Sequence, residues 1–154
     1  MIENKREWER AEIERSRRDA EHTAASVRLR ADERHLERYL DPPLDTAYPL
    51  EYAYAVLGDV RSRLVLDLGC GAGENSLLLA LRGARVLGVD ISEAMLQLAG
   101  KRLAINGLAD RANFVAASCH DLPLPDASVD VVLGIAILHH LDLPFTAREV
   151  RRVL

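Results

Sequence analysis

Cysteine is nearly absent from this 154-residue chain: Cys70 and Cys119 are the only two, and no CxxC pair occurs. A disulfide framework is therefore excluded. Long apolar runs are missing as well. The longest, Val131 to Leu138, is broken by a glycine and falls far short of a membrane span. Neither sign of charge dominates, with 20 Lys and Arg against 24 Asp and Glu, a net charge of -4 and a pI near 5.7. That balance argues against a general nucleic-acid binder. Both signs are present from Glu3 onward, so neither a signal peptide nor an acid-poor transit peptide fits the N-terminus. The expectation is one soluble domain of cytoplasmic location.

What is present suits a packed core. The chain is 49% hydrophobic and 29% charged, with a mean hydropathy of -0.06. A chain of this length buries roughly 70% of its unfolded surface without a staple. Residues 1–40 carry ten basic and ten acidic side chains and no Gly or Pro, which predicts helix. After Met1, the only large apolar residues before Val27 are Ile2, Trp8 and Ile13, too few for a coiled coil. Leu29, Leu36 and Leu40 then form a narrow apolar stripe. We expect a docked helix over 24–40 and a frayed or exposed extension over 1–23. Asp41-Pro42-Pro43 stops that helix, and 41–50 reads as a linker. Tyr39, Tyr48, Tyr52 and Tyr54 cluster around it and read as packing. The expected division is 1–49, a helical extension and linker, and 50–154, the main domain.

From Arg63 the pattern alternates. Leu64-Val65-Leu66 predicts a buried strand ending at Asp67, followed by Gly69-Cys70-Gly71-Ala72-Gly73 and a helix over 75–81. Val86-Leu87-Gly88-Val89 predicts a second strand ending at Asp90. Ser92 is a plausible N-cap for a helix to about Ile105, stopped by Asn106-Gly107. Strands at 114–117 and 129–136 follow. Such alternation specifies parallel βαβ units, an α/β doubly wound, Rossmann-like sheet of three layers.

The glycine loop carries the chemistry. Glycines at the end of the first strand let a ligand approach the backbone, and the next helix offers unsatisfied amides. Asp90, seventeen residues beyond Gly73, stands where an acid can accept both hydroxyls of a ribose. A dinucleotide fingerprint needs glycine at 74, which is Glu74, and no Gly-Lys-Ser/Thr follows to make a phosphate loop. Asp67, two residues before the first glycine, suits an ammonium group and repels a pyrophosphate.

Val65 to Gly73 resembles motif I of class I S-adenosylmethionine-dependent methyltransferases, and Gly88-Val89-Asp90-Ile91-Ser92 resembles their acidic ribose-binding segment. Leu122-Pro123-Leu124-Pro125-Asp126, Val129 to Val132 and Leu138-His139-His140-Leu141 resemble the stretch around strand four in the small-molecule, type 11-like branch. The resemblance runs from about Arg63 to Leu154. It implies S-adenosyl-L-methionine as cofactor, with Gly69, Cys70, Gly71 and Gly73 beneath its methionine part and Asp67 at its amino group. Asp90 would bind the ribose and Ile91 the adenine. Ser118, beside Cys119, stands where the family often has an Asp that meets the adenine amino group. Gly134 and Ile135 would face the sulfonium region. His139 or His140 would serve as base where the acceptor must lose a proton, or else cap or pack on the helix after strand four. Asp121, Asp126 and Asp130 read as loop solvation and turn formation, so no metal is expected.

The family continues beyond a segment like 148–154 into a proline-glycine turn and a fifth strand. The expectation is therefore a sheet incomplete on its C-terminal side, in the order 3-2-1-4, with strand four as an open edge for self-association. Two functions are expected from this reading. One is methyl transfer to a small-molecule acceptor, this chain supplying the cofactor part. The other is a non-catalytic, truncated remnant or protein-interaction module.

Overall fold

The computed structural model describes the backbone of residues 2–26 and 29–154, and the side chains of 7–22, 29–32 and 36–154. The N-terminal third is three helices, α1 (Ile2–Ser26), α2 (Glu33–Leu40) and α3 (Pro49–Leu57). The rest runs β1 (Leu64–Leu68), α4 (Glu74–Leu81), β2 (Arg85–Asp90), α5 (Glu93–Ile105), β3 (Ala112–Ala116), β4 (Val131–Leu133) and α6 (Leu143–Val153). The four strands are parallel in the order β3-β2-β1-β4, as the alternation predicts.

Apolar residues on both faces explain why β1 lies inside the sheet. Val65 and Leu66 are fully buried, Val65 in a cluster with Val86, Leu79 and Leu103, Leu66 in one with Val89, Val129 and Val153. Such strands read as continuous apolar runs because helices cover both sides. Ser92 caps α5 as expected, its hydroxyl accepting the Met95 amide at 3.4 Å. Tyr39 and Tyr54 pack together in the core, ring centroids 5.9 Å apart, whereas Tyr48 and Tyr52 are exposed.

Four expectations need correction. The first is the single helix over 24–40. α1 ends at Ser26 and α2 starts at Glu33, with residues 27 and 28 of that prediction outside the described ones. Asn106, at the end of α5, ties the intervening chain down: its Oδ1 accepts the Ala31 amide and its Nδ2 donates to the Leu29 carbonyl, both at 2.9 Å. The second is the frayed extension over 1–23. From Ile2 onward it is helix, packed across α5, with Ala20 buried. The third is strand four, which spans three residues rather than 129–136. Beyond Leu133 the chain turns away from β1, and Ala136 adopts a left-handed φ of 56°. The fourth is small: strand three begins at Ala112. The expected domain boundary at 49/50 falls on the first turn of α3, where Pro49 fits because the missing amide is an unpaired one there.

Candidate functional site

The carboxyl ends of β1, β2 and β4 open onto two cavities that share Gly69, Gly71, Met95 and Ala136. One, of about 720 Å³, runs from Cys70, Ala72, Asn75 and Ile135 to the apolar side chains Leu36 and Leu50. The other, of about 300 Å³, lies between Asp90, Ile91, Ser118, Cys119 and His140 and the inner face of α1. This is the position where open α/β sheets bind ligands.

The loop between β1 and α4 is shaped by two different needs for glycine. Gly71 has φ +50°, and a Cβ there would meet nothing within 4 Å. Gly73 has φ +77°, and a Cβ there would stand 2.8 Å from the Ala99 Cβ of α5. Gly71 therefore keeps the ligand side open, while Gly73 lets α4 and α5 approach. Arg102 secures the same loop from behind: it is 5% exposed and donates from Nε to the Ala72 carbonyl at 2.8 Å.

Asp90 ties the loop to β2. Its Oδ2 accepts the Gly71 amide and its Oδ1 the Ser92 amide, both at 2.9 Å. A carboxylate has about four acceptor positions, so capacity remains beyond these amides and that of Ile91. Burial raises its pKa despite those amides, and Glu12 of α1 adds to the rise. Asp67 is 1% exposed and accepts the Ser76 hydroxyl at 2.6 Å; burial, reinforced by Asp90, raises its pKa to about 6. Around the Asp90 end of the cleft Asp90, Glu12 and Asp19 stand with Arg15 as the one lining arginine among the described residues, an environment that favours a positively charged ligand.

Of the residues expected at the site, Gly69, Cys70, Gly71, Asp90, Ile91, Ser118, Cys119 and His140 line these cavities. Asp67 lies beneath the floor, turned toward α4. Gly73 serves the contact with α5 rather than the cavity. Gly134 lines neither cavity; a Cβ there would press on Ile137 at 3.2 Å and make ordinary contact with Leu68 at 3.7 Å. His139 is exposed, its ring 3.8 Å from that of His140 between centroids. Burial holds the Cys119 thiol neutral, pushed up to about 12, and raises Cys70 as well. Asp130 and Asp126 have structural partners, the Leu64 amide at 2.7 Å and Arg152 at 2.9 Å.

Sequence reasoning missed two contributors. Trp8, Glu12, Arg15, Ser16 and Asp19, one face of α1, form the roof of the smaller cavity. Arg15 Nη2 lies 3.2 Å from Nε2 and 3.3 Å from Nδ1 of His140. His120 is the other. Its Nε2 accepts the Asp142 amide at 2.8 Å, so in the neutral ring Nδ1 carries the proton and faces Ser118 Oγ at 3.4 Å.

A parallel sheet with an open glycine loop after β1 and an acid at the end of β2 defines a nucleoside-binding Rossmann-like domain. The comparisons sharpen that class. Residues 66–154 match the family described as "Methyltransferase domain", and the chain belongs to that family. It is 38% identical over 94 residues to a demethylmenaquinone methyltransferase of Symbiobacterium thermophilum, covering 58% of this chain and 38% of that protein. Among solved structures it resembles an S-adenosylmethionine dependent methyltransferase from Mesorhizobium loti, with 32% identity, a TM-score of 0.60, and 73% of this chain against 51% of that one. It also resembles the [4+2]-cyclase SpnF, with 29% identity, a TM-score of 0.58, and 61% against 35%. The chain spans less than half the length of the curated relatives it matches.

Proposed function

We propose that this chain supplies the cofactor-binding part of an S-adenosylmethionine-dependent methyltransferase that acts on a small-molecule acceptor. The observation that carries the proposal is Asp90, half-buried at the ligand end of β2 and tied to the open loop through the Gly71 amide. Membership of the methyltransferase domain family supports it and favours it over the interaction-module reading.

The cleft fits that cofactor on two counts. Gly71 leaves space where a side chain would project, and the carboxylates of Asp67, Asp90 and Glu12 suit a ligand carrying sulfonium and ammonium charge. Bound, the cofactor supplies a methyl group already activated by its positive sulfur. The chain's own part is then positioning. Asp90 accepts the ribose hydroxyls, and Ile91 lies against the base. Asp67, beneath the floor, attracts the amino group electrostatically and through water. Cys70, Gly69 and Gly71 form the backbone cradle. The larger cavity, with Leu36, Leu50 and Ile135 on its walls, takes the acceptor, a quinone-like or lipid-like molecule. The name of the Symbiobacterium relative supports that class. His140 lines the smaller cavity and not the acceptor's, so it takes a proton only from an acceptor that reaches past the shared Ala136; exposed His139 lines neither cavity.

The proposal extends to organisation. Residues 1–49 act as an appended lid and linker to the domain over 50–154. No described helix is long and apolar enough to cross a membrane. A cytoplasmic location agrees with two buried cysteines that are unpaired.

The test is a thermal melt of the 154-residue chain with S-adenosylhomocysteine, and with NAD as control. Ligand at a hundred times its dissociation constant adds about 2.7 kcal/mol, which raises the midpoint by roughly 5–11 °C. A cooperative melt unmoved by S-adenosylhomocysteine, or moved equally by NAD, would refute the proposal.

A further inference from the structure

We infer that Glu9 of α1, rather than Ser118, reads the exocyclic amino group of the bound base and so sets the cofactor specificity of the site. The inference rests on the cofactor reading above and concerns a residue outside the methyltransferase-domain match. Ile91 and Ser118 line both the smaller cavity and a neighbouring one of about 690 Å³ that Glu9, Ile13 and Arg17 complete. A base extending from a ribose at Asp90 across Ile91 therefore arrives at the Ser118–Glu9 pair.

Ser118 has no hydrogen-bonding capacity to spare there. A hydroxyl has one proton and two acceptor positions. Its proton goes to Glu9 Oε1 at 2.9 Å. Its oxygen faces the His120 amide at 3.3 Å and His120 Nδ1 at 3.4 Å. The second contact is also a donor, because the Asp142 amide occupies Nε2 and leaves the neutral ring's proton on Nδ1. The carboxylate of Glu9 accepts more than the one bond from Ser118 and offers no proton. It attracts an amino edge and repels an oxo edge. Trp8, next to it, lies 6.2 Å from His120 between ring centroids, so aromatic faces flank the same region.

The experiment compares the affinity of the full chain for S-adenosylhomocysteine and for S-inosylhomocysteine, which carries an oxo group in place of the adenine amino group. Calorimetry on the wild type should give a preference of about ten- to hundredfold for the adenine ligand, the scale of one hydrogen bond to a charged group. In Glu9→Gln, whose amide both donates and accepts, the preference should shrink to within about threefold. Glu14→Gln, on an exposed part of the same helix, should keep the wild-type ratio. A wild type without preference, an unchanged ratio in Glu9→Gln, or an equal loss for both ligands in that variant would overturn the role of Glu9 while leaving the cofactor reading intact. No binding of S-adenosylhomocysteine by the wild type would overturn the cofactor reading and this inference with it.

Discussion

Two glycines of one loop should fail in opposite ways when given a methyl group. At Gly73, alanine would hold a left-handed φ of +77°, which costs about 1–2 kcal/mol. Its Cβ would also press on Ala99 at 2.8 Å, an overpacking of about 1–3 kcal/mol. The sum is about 2–5 kcal/mol against a total stability of about 5–15 kcal/mol. With a urea dependence of about 2 kcal/mol per molar, the unfolding midpoint should fall by roughly 1–2.5 M. At Gly71 only the backbone cost applies, about 1–2 kcal/mol, since the methyl meets nothing within 4 Å. There the methyl projects into the ligand space instead, so S-adenosylhomocysteine should bind at least about tenfold more weakly, a loss near 1.4 kcal/mol. Urea unfolding and calorimetry on the two variants provide the measurement. Equal destabilisation of both, or unchanged binding in Gly71→Ala, would refute the division of labour.

Asp67 makes stability depend on pH. Its folded pKa of about 6 exceeds the ordinary 3.8, so the folded chain binds the proton more tightly. The contribution is full below the unfolded value and is lost as pH rises through about 6, up to roughly 3 kcal/mol. Asp67→Asn should therefore gain on the wild type by about that much between about pH 4 and pH 7, read from urea midpoints; a pH-independent difference would contradict it. Arg102→Met should cost about 1–3 kcal/mol by leaving the Ala72 carbonyl without its donor, and should weaken S-adenosylhomocysteine binding as the loop loosens. Its pair with Glu74 adds little, because that carboxylate is 72% exposed in its side chain. Unchanged urea unfolding would dismiss the role given to Arg102.

The stretch from β1 to α5 was legible because each signal there is local. Val65 and Leu66 mark a strand covered on both faces, Asp90 marks the end of β2, and Ser92 caps its helix with its own hydroxyl. The roof of the cleft was not legible. Trp8, Glu12, Arg15, Ser16 and Asp19 share one helical face, but four of the five are polar because they cover a polar cleft. A search for apolar periodicity passes over such a face. Strand four was overestimated for the converse reason. The run 131–138 carries no polar side chain, yet Gly134 and the left-handed Ala136 turn it across the cavity mouth. His120 carried no signal beyond its place two residues after Ser118, since its partners Asp142 and Glu9 come from distant parts of the chain.

The central claim, an adenosyl ligand held by its ribose at Asp90, is tested most directly by altering the ligand and leaving the protein intact. Calorimetry should compare S-adenosylhomocysteine with its 2′,3′-dideoxyribose analogue on the wild-type chain. Hydrogen bonds to a charged carboxylate are each worth about 1.5–3 kcal/mol, so the analogue should bind at least about tenfold more weakly. Equal affinity for the two, or no binding of either, would contradict the account.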